Sequence, residues 1–594
     1  MASFMAKLLI ALACAAVCVF GQQGRVIARS YYTQLIDRGV VSGAYFAEVA
    51  DKEVVETLAL GNARPDALWR AASTSKALTA VGVMRLVERG QLDLDVDVNH
   101  YLKTVKVPAT RNRSITLRHL LTHTSGLDDP FVGSGFLAGA GEQPPLATVM
   151  STWLPDRLYE PGEVRLYSNF GYGVIGAVIE DVTGRRYEDF MRSEVLEPIG
   201  MNHSTFQQPL PRELEQRIVP TIERSALGFT HPSEIIYHRA TSAGGLTTTL
   251  ADLLCFVRFV EGGGSIDGHQ VLRSETLARM VGQAVGDSES YGFGTGISRG
   301  QRYWYAGGDL GSYHTVLLWF PEHGRTLITM AASASNMATW NLVPEIMASW
   351  FGTPQTPTSA PIPTLPGARE SAALAAGTYR PVRYPHHDLG KTFAVTMDQS
   401  VAANADGSIA FEGERWIAVG PLQFRNAADG RELTFQKDGG GQIRFMNRES
   451  ERIAWYQGGR AAIGFYCFFV LLSVLLLWRD RRGKNSLPVR WMAAAILIHS
   501  VSWLGAVMVA DPQRIILGNP WYLTVALAFG TAVPLVWVFL VVATWRGLIR
   551  KAHSTPYVVS ARLTILVMGL YIPFIVYWQL TSLPALDAIL RHRS

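Results

Sequence analysis

Leu68-Trp-Arg-Ala-Ala-Ser73-Thr-Ser-Lys76-Ala-Leu-Thr-Ala-Val-Gly-Val-Met-Arg-Leu-Val-Glu-Arg-Gly90 is the stretch from which the rest of the chain can be read. Apolar residues at 77, 80, 81, 83, 84 and 87 recur at a helical period and Gly90 ends the run, so the spacing predicts a helix beginning near Ser73. Ser73 and Lys76 then share one face. Free backbone N–H groups at a helix start favour developing negative charge on a serine oxygen, and a lysine one turn on can take the hydroxyl proton if its amine is held neutral. The Ser-x-x-Lys spacing alone is a weak signal, with about one chance occurrence expected in a chain this long. Its bland alternative is Ser73 as a helix cap beside a solvated Lys76.

A second element is Tyr167-Ser168-Asn169, inside Glu160-Pro-Gly-Glu-Val-Arg-Leu-Tyr-Ser-Asn-Phe-Gly-Tyr-Gly-Val-Ile-Gly-Ala177. The Pro-Gly turn leads into a helix capped by Ser168 or Asn169. The phenol is a second proton carrier, useful as a base if a cation such as Lys76 lowers its pKa, and the Asn169 amide can bind both that lysine and a substrate carbonyl. The competing reading is a buried tyrosine next to an ordinary helix cap.

The chain has 594 residues, 48% apolar and 17% charged, too apolar for disorder and too long for one ordinary domain. Its net charge of +5 is unevenly placed: residues 461–594 hold 12 Lys/Arg against 3 Asp/Glu, leaving 42 against 46 before them. Without a long basic run or an RNA-binding signature, this surplus concerns membrane topology and not nucleic-acid binding. Cys14 and Cys18 lie in the first apolar run, Cys467 in a later one and Cys255 in polar surroundings, so no disulfide framework is expected. Residues 1–21, with Lys7, an apolar stretch over 8–20 and Gly21, read as a signal peptide; lipidation at Cys14 or Cys18 is an alternative whose preceding residues match poorly.

Four uncharged stretches, 461–478, 491–510, 521–545 and 563–580, each approach the roughly 20 residues of a spanning helix. Arg479, Arg481, Arg482, Lys484 and Arg490 in the first loop, and Arg546, Arg550, Lys551 and Arg562 in the third, place both loops in the cytoplasm by the positive-inside rule. Membrane lipid is thus a partner, and the long segment before the first helix lies on the periplasmic or extracellular side. That segment divides into residues 24–352, which mix helical and strand-like runs, a linker over 353–367 with five prolines, and a small antiparallel β domain over 377–456 punctuated by Asp406-Gly407, Asp429-Gly430 and Gly439-Gly440-Gly441.

Over roughly residues 25–350 the sequence resembles the penicillin-binding serine hydrolases of class C β-lactamase type, a family that includes D,D-peptidases, D-aminopeptidases and esterases. The resemblance rests on Ser73-x-x-Lys76 and Tyr167-x-Asn169 together with Arg118-His-Leu-Leu-Thr-His-Thr-Ser-Gly126, Glu197-Pro-Ile-Gly-Met201 and Ala243-Gly-Gly-Leu-Thr-Thr-Thr-Leu-Ala-Asp252. It implies an α+β, β-lactamase/transpeptidase-like fold, an antiparallel sheet covered by helices beside a helical subdomain, here followed by the β domain and a helical membrane bundle. It further implies Ser73 as nucleophile, Lys76 and Tyr167 as the acid/base pair and Asn169 as an orienting group, with neither cofactor nor metal.

The third motif departs from the family pattern. Where the family carries Lys-Thr-Gly, or His or Trp before small residues, this chain has Ala306-Gly307-Gly308 followed by Asp309. The missing side chain normally assists proton relay or holds a substrate carboxylate, which argues against both efficient penicillin hydrolysis and carboxylate recognition by that motif. Gly307 and Gly308 still let a substrate approach the strand, and the N–H groups of Ser73 and Asp309 would form the oxyanion hole. His314 is a candidate proton carrier on the next strand, whereas His119 and His123, spaced i and i+4 with no Glu after His119, read as structural. The expectation is an exported, membrane-anchored serine hydrolase that cleaves an amide or ester of a small peptide, ester or lactam through an acyl-enzyme, preferring peptides with D-residues. A catalytically impaired scaffold and a β-lactam- or peptidoglycan-sensing membrane protein are the alternatives; nothing in the sequence names a protein partner.

Overall fold

The computed structural model describes residues 23–108, 113–129, 135–138, 143–152, 155–224, 230–232, 235–282, 290–298, 300–352, 365–384, 386, 389–426, 430–480, 487–508, 517, 521–546, 555–578 and 580. The expected signal peptide and most of the proline-rich linker lie outside the described residues.

The fold is the α+β, β-lactamase-like one expected. A six-stranded antiparallel sheet runs in the order Gly294–Ser298, Gln301–Leu310, Tyr313–Phe320, Arg325–Ser333, Val41–Ala50, Glu53–Gly61. Side chains alternate across a strand, and here both faces are buried. Tyr45, Ala47 and Val49 point into the large core shared with the helical subdomain, while Ala44 and Phe46 point into a second core. That second core is roofed by Ala28 and Tyr32 of a helix over 23–37 and by Val343, Ile346 and Met347 of helix Val343–Phe351. The subdomain packs helices Ser75–Glu88 and Asn169–Thr183 against the opposite face, so the catalytic motifs meet where sheet and subdomain adjoin.

The β domain is a closed barrel of eight antiparallel strands from Gly377–Pro381 to Ser450–Ile453, closed by pairing of the first with the last. Asp406-Gly407 makes one of its turns, with Gly407 at φ 84° and the Asp406 carboxylate accepting the Ser408 N–H. Its interior is filled by Phe411, Trp416, Phe424, Phe435 and Phe445, and helix Ala368–Ala375 contributes Ala368, Ala372 and Ala375 to the same core.

Among the described residues three helices, Gly459–Asp480, Leu487–Met508 and Trp521–Trp545, are long and apolar enough to cross a membrane. Their outward faces expose Leu471, Leu475, Val501 and Leu535, and Trp478, Trp491, Trp521 and Trp545 stand near their ends, as at lipid interfaces. The fourth stretch, expected as one helix over 563–580, is two shorter helices, Thr555–Gly569 and Tyr571–Tyr577. Pro573 has no N–H to give the Gly569 carbonyl, and the chain breaks between them. His499, the polar side chain inside the second helix, has its Nδ1 3.0 Å from the Tyr571 hydroxyl, which accounts for it as bundle packing.

Candidate active site

Ser73 lies between strand Trp69–Ala72 and helix Ser75–Glu88, whose cap is Thr74. It therefore sits one residue ahead of the helix cap instead of serving as the cap. A bulge between Arg70 and Ala72 turns the strand out, and Ala72 takes φ 50°, a left-handed conformation costly for any residue with a side chain. This sharp turn presents Ser73 to a cavity of about 830 Å³.

Lys76 is 3% exposed, not solvated. Its Nζ lies 3.1 Å from Ser73 Oγ, 2.8 Å from Asn169 Oδ1 and 2.7 Å from the Ala243 carbonyl oxygen. Burial holds its pKa well below the ordinary lysine value; Asp129 opposes that shift and Arg383 adds to it. A neutral amine in this place would give its two hydrogens to the Asn169 and Ala243 oxygens and turn its lone pair to the Ser73 hydroxyl. Asn169 is itself oriented: Asp129 accepts its Nδ2–H at 3.0 Å and its backbone N–H at 2.8 Å, so the amide oxygen must face Lys76.

The Tyr167 hydroxyl donates to Ser73 Oγ at 2.8 Å. Burial raises its pKa despite the nearby Arg383 and the bond to Ser73, so the phenol keeps its proton. The condition under which Tyr167 would serve as a base, a pKa lowered by a cation, is not met where burial raises it. His123 stacks on the Tyr167 ring at 4.2 Å and accepts the Ser168 N–H at 3.2 Å. Burial depresses the His123 pKa well below its ordinary value, which keeps that ring neutral. His119 caps a short helix by accepting the Thr116 N–H. Both histidines thus have packing and capping work. The helix after Tyr167 is capped by Ser168, which accepts the Gly171 N–H at 3.0 Å.

Ala306, Gly307, Gly308 and Asp309 line the same cavity on strand Gln301–Leu310. Gly308 lies so near Ser73 that a Cβ there would stand 2.3 Å from Ser73 N and 2.8 Å from the Ala71 oxygen; at Gly307 it would stand 2.9 Å from the Thr315 oxygen. Both glycines are demanded by close backbone approach. The Asp309 carboxylate lies 2.6 Å from His314 Nδ1 and accepts from Asn336 Nδ2 at 3.3 Å. With its other ring nitrogen 2.9 Å from the Ser333 carbonyl oxygen, His314 reaches the cavity only through Asp309.

The Beta-lactamase family profile matches residues 28–346, more than half of the chain. The chain belongs to the β-lactamase family. It is similar to "Penicillin-binding protein 4*" of Bacillus subtilis (strain 168), 27% identical over 48% of this chain and 63% of the relative. It is also similar to "Penicillin-binding protein 4" of Amycolatopsis lactamdurans, 29% identical over 38% and 60%. The matched region spans about three fifths of these relatives' length. Among solved structures, that of SurE is 20% identical, covers 73% of this chain and 99% of its own, and has a TM-score of 0.49.

Two members of the site escaped the sequence reading. Asp129 closely follows the Arg118–Gly126 phrase, and its acidic side chain just beyond a quoted motif was the available signal. Arg383 comes from the β domain: its guanidinium lies 4.2 Å from the Tyr167 ring centroid and 3.5 Å from Asp129. Nothing local at residue 383 announces that contact.

Proposed function

We propose that this chain is an exported, membrane-anchored serine hydrolase that opens an amide or ester bond through an acyl-enzyme on Ser73. The observation that carries the reading is one oxygen, Ser73 Oγ, within hydrogen-bond reach of both a lysine whose pKa burial lowers and a tyrosine whose pKa burial raises. Ser73 Oγ attacks the substrate carbonyl as its proton passes to Lys76 Nζ. The tetrahedral oxyanion is held by the N–H groups of Ser73 and Asp309. As the bond to the leaving amine or alcohol breaks, Tyr167 gives that group its proton and regains one from Lys76, which holds the proton taken from Ser73. A water then attacks the acyl-enzyme by the reverse relay, releasing the acid and restoring the Ser73 hydroxyl.

The relatives are named as penicillin-binding proteins. Ala306, in place of the usual cationic or aromatic side chain, argues against efficient lactam hydrolysis here, which leaves peptides with D-residues and related esters as the favoured substrates. The basic loops flanking the apolar helices support a cytoplasmic position for them and an exterior position for the catalytic cleft, with the Thr555–Tyr577 helix pair as a fourth crossing. Profiling the purified protein with D- and L-peptides, simple esters and nitrocefin tests the substrate class. Turnover of D-peptides or esters that falls by about 10⁶ in Ser73→Ala is expected. Turnover that survives this substitution would refute the reading.

A further inference from the structure

Among its described lining residues the cavity holds the acidic or basic side chains of Lys76, Arg165, Arg383, Asp309 and Glu449. Four of them are occupied. Lys76 has its three partners, Asp309 is bound to His314 and Asn336, and Arg165 and Glu449 form an ion pair with each other. Arg383 differs. Its side chain is 49% exposed, and its contacts are the Tyr167 ring face and a single 3.5 Å approach to Asp129. A guanidinium carries five N–H donors in a planar fork, so most of this fork is open to the cavity.

The position of Arg383 is built, because the barrel docks on the segment that carries Tyr167. Val382, next to Arg383, is buried with Val164 and Leu166 in an apolar cluster that Leu158 and Tyr159 complete. Arg444 bonds Glu163 at 2.7 Å, the Tyr159 hydroxyl donates to Glu451 at 3.2 Å, and the Arg165–Glu449 pair lies between them. These ties hold the first barrel strand's end against residues 158–167. In the proposed reaction Tyr167 protonates the leaving group, so a cation stacked on its ring borders the path by which that group departs.

We infer that Arg383, supplied by the barrel, is the specificity residue that binds a carboxylate on the substrate's leaving group, so that the site selects substrates ending in a free carboxylate near the scissile bond. Ala306 offers no charge on the sheet side, and Arg383 provides one from the opposite wall. A planar fork whose carbon lies 4.2 Å from the Tyr167 ring centroid suits bidentate carboxylate binding.

This inference rests on the proposed hydrolase reading, and the two can fail separately. The full chain in detergent is reacted with two aryl phosphonates that differ only in the leaving group, 3-carboxyphenoxide or 3-carbamoylphenoxide, and with a neutral alkyl fluorophosphonate. The expected result is that the wild type prefers the carboxy probe and that Arg383→Ala lowers the ratio of carboxy to carbamoyl rate by about tenfold to a hundredfold, the weight of a hydrogen-bonded charge. The loss should appear in the half-saturating probe concentration and be partly restored in Arg383→Lys. A ratio that is the same in wild type and Arg383→Ala overturns the inference while fluorophosphonate labelling of Ser73 leaves the hydrolase reading standing. Absence of any Ser73 adduct from all three probes overturns both.

Discussion

Lys76 concentrates the chemistry of the site at the scale of one residue. Burial lowers its pKa first, and the charges facing it pull in opposite directions, Asp129 upward and Arg383 downward. The rings of Tyr167 and Tyr172 lie 4.8 and 5.5 Å from its nitrogen, and His123, neutral through its own burial, adds no charge. A lysine with a lowered pKa is a free base at every pH above that value. kcat/KM should therefore rise with pH through the lowered Lys76 pKa and reach a plateau well below 10.5. It should fall only above 10, where Tyr167, its pKa raised by burial, loses the proton it donates. A pH–rate profile checks this directly; a rate that climbs only near 10.5 would mean that Lys76 is an ordinary charged lysine.

At the scale of elements, the site depends on one strand lying against one turn. A Cβ at Gly308 meets backbone atoms, Ser73 N and the Ala71 oxygen, which cannot rotate away as a side chain would. Gly308→Ala must push strand Gln301–Leu310 off the nucleophile and open the oxyanion hole. The expected cost is about 10²–10³ in kcat, with the thermal transition little moved, measured by steady-state kinetics beside a melting curve. How much of this could be read in advance follows from the distances involved along the chain. Ser73 and Lys76 sit one helical turn apart, and Tyr167 and Asn169 sit at one helix start, so local periodicity exposes both pairs. Asp129 meets Asn169 across 40 residues and Arg383 meets Asp129 across 254, and no local pattern encodes either approach. Whether Tyr167 acts as acid or base could not be decided from the tripeptide, because the burial that raises its pKa is not legible there. The break in the last apolar stretch was visible as Pro573, but its consequence depends on Gly569, packed so near Trp537 that a Cβ would lie 2.4 Å from the indole nitrogen.

At the scale of the molecule, the barrel joins the catalytic region to the apolar helices. Arg380, 1% exposed, grips Asp398 through two bonds of 2.7 and 3.0 Å and donates to the Gln457 carbonyl at 2.8 Å. Asp398 also accepts the Gly459 N–H at 2.6 Å, where helix Gly459–Asp480 begins, and Arg380 stacks over Trp578. This knot fixes the barrel to the bundle, just as the Arg444–Glu163 and Arg165–Glu449 pairs fix it to the segment leading to Tyr167. Asp398→Ala leaves a buried guanidinium without its counter-charge and should destabilise the chain by about 3–5 kcal/mol, read from thermal or denaturant unfolding in detergent. An unchanged transition would mean that barrel and bundle are not energetically linked through this pair. Beneath all three scales lies the claim that Ser73, Lys76 and Tyr167 act as one acyl-transfer unit. Its most direct measurement is peptide mapping by mass spectrometry after treatment with a fluorophosphonate at neutral pH. A single adduct on Ser73, slowed strongly in Lys76→Ala and Tyr167→Phe, is the predicted result; an adduct on another residue, or labelling of Ser73 indifferent to both substitutions, would contradict it.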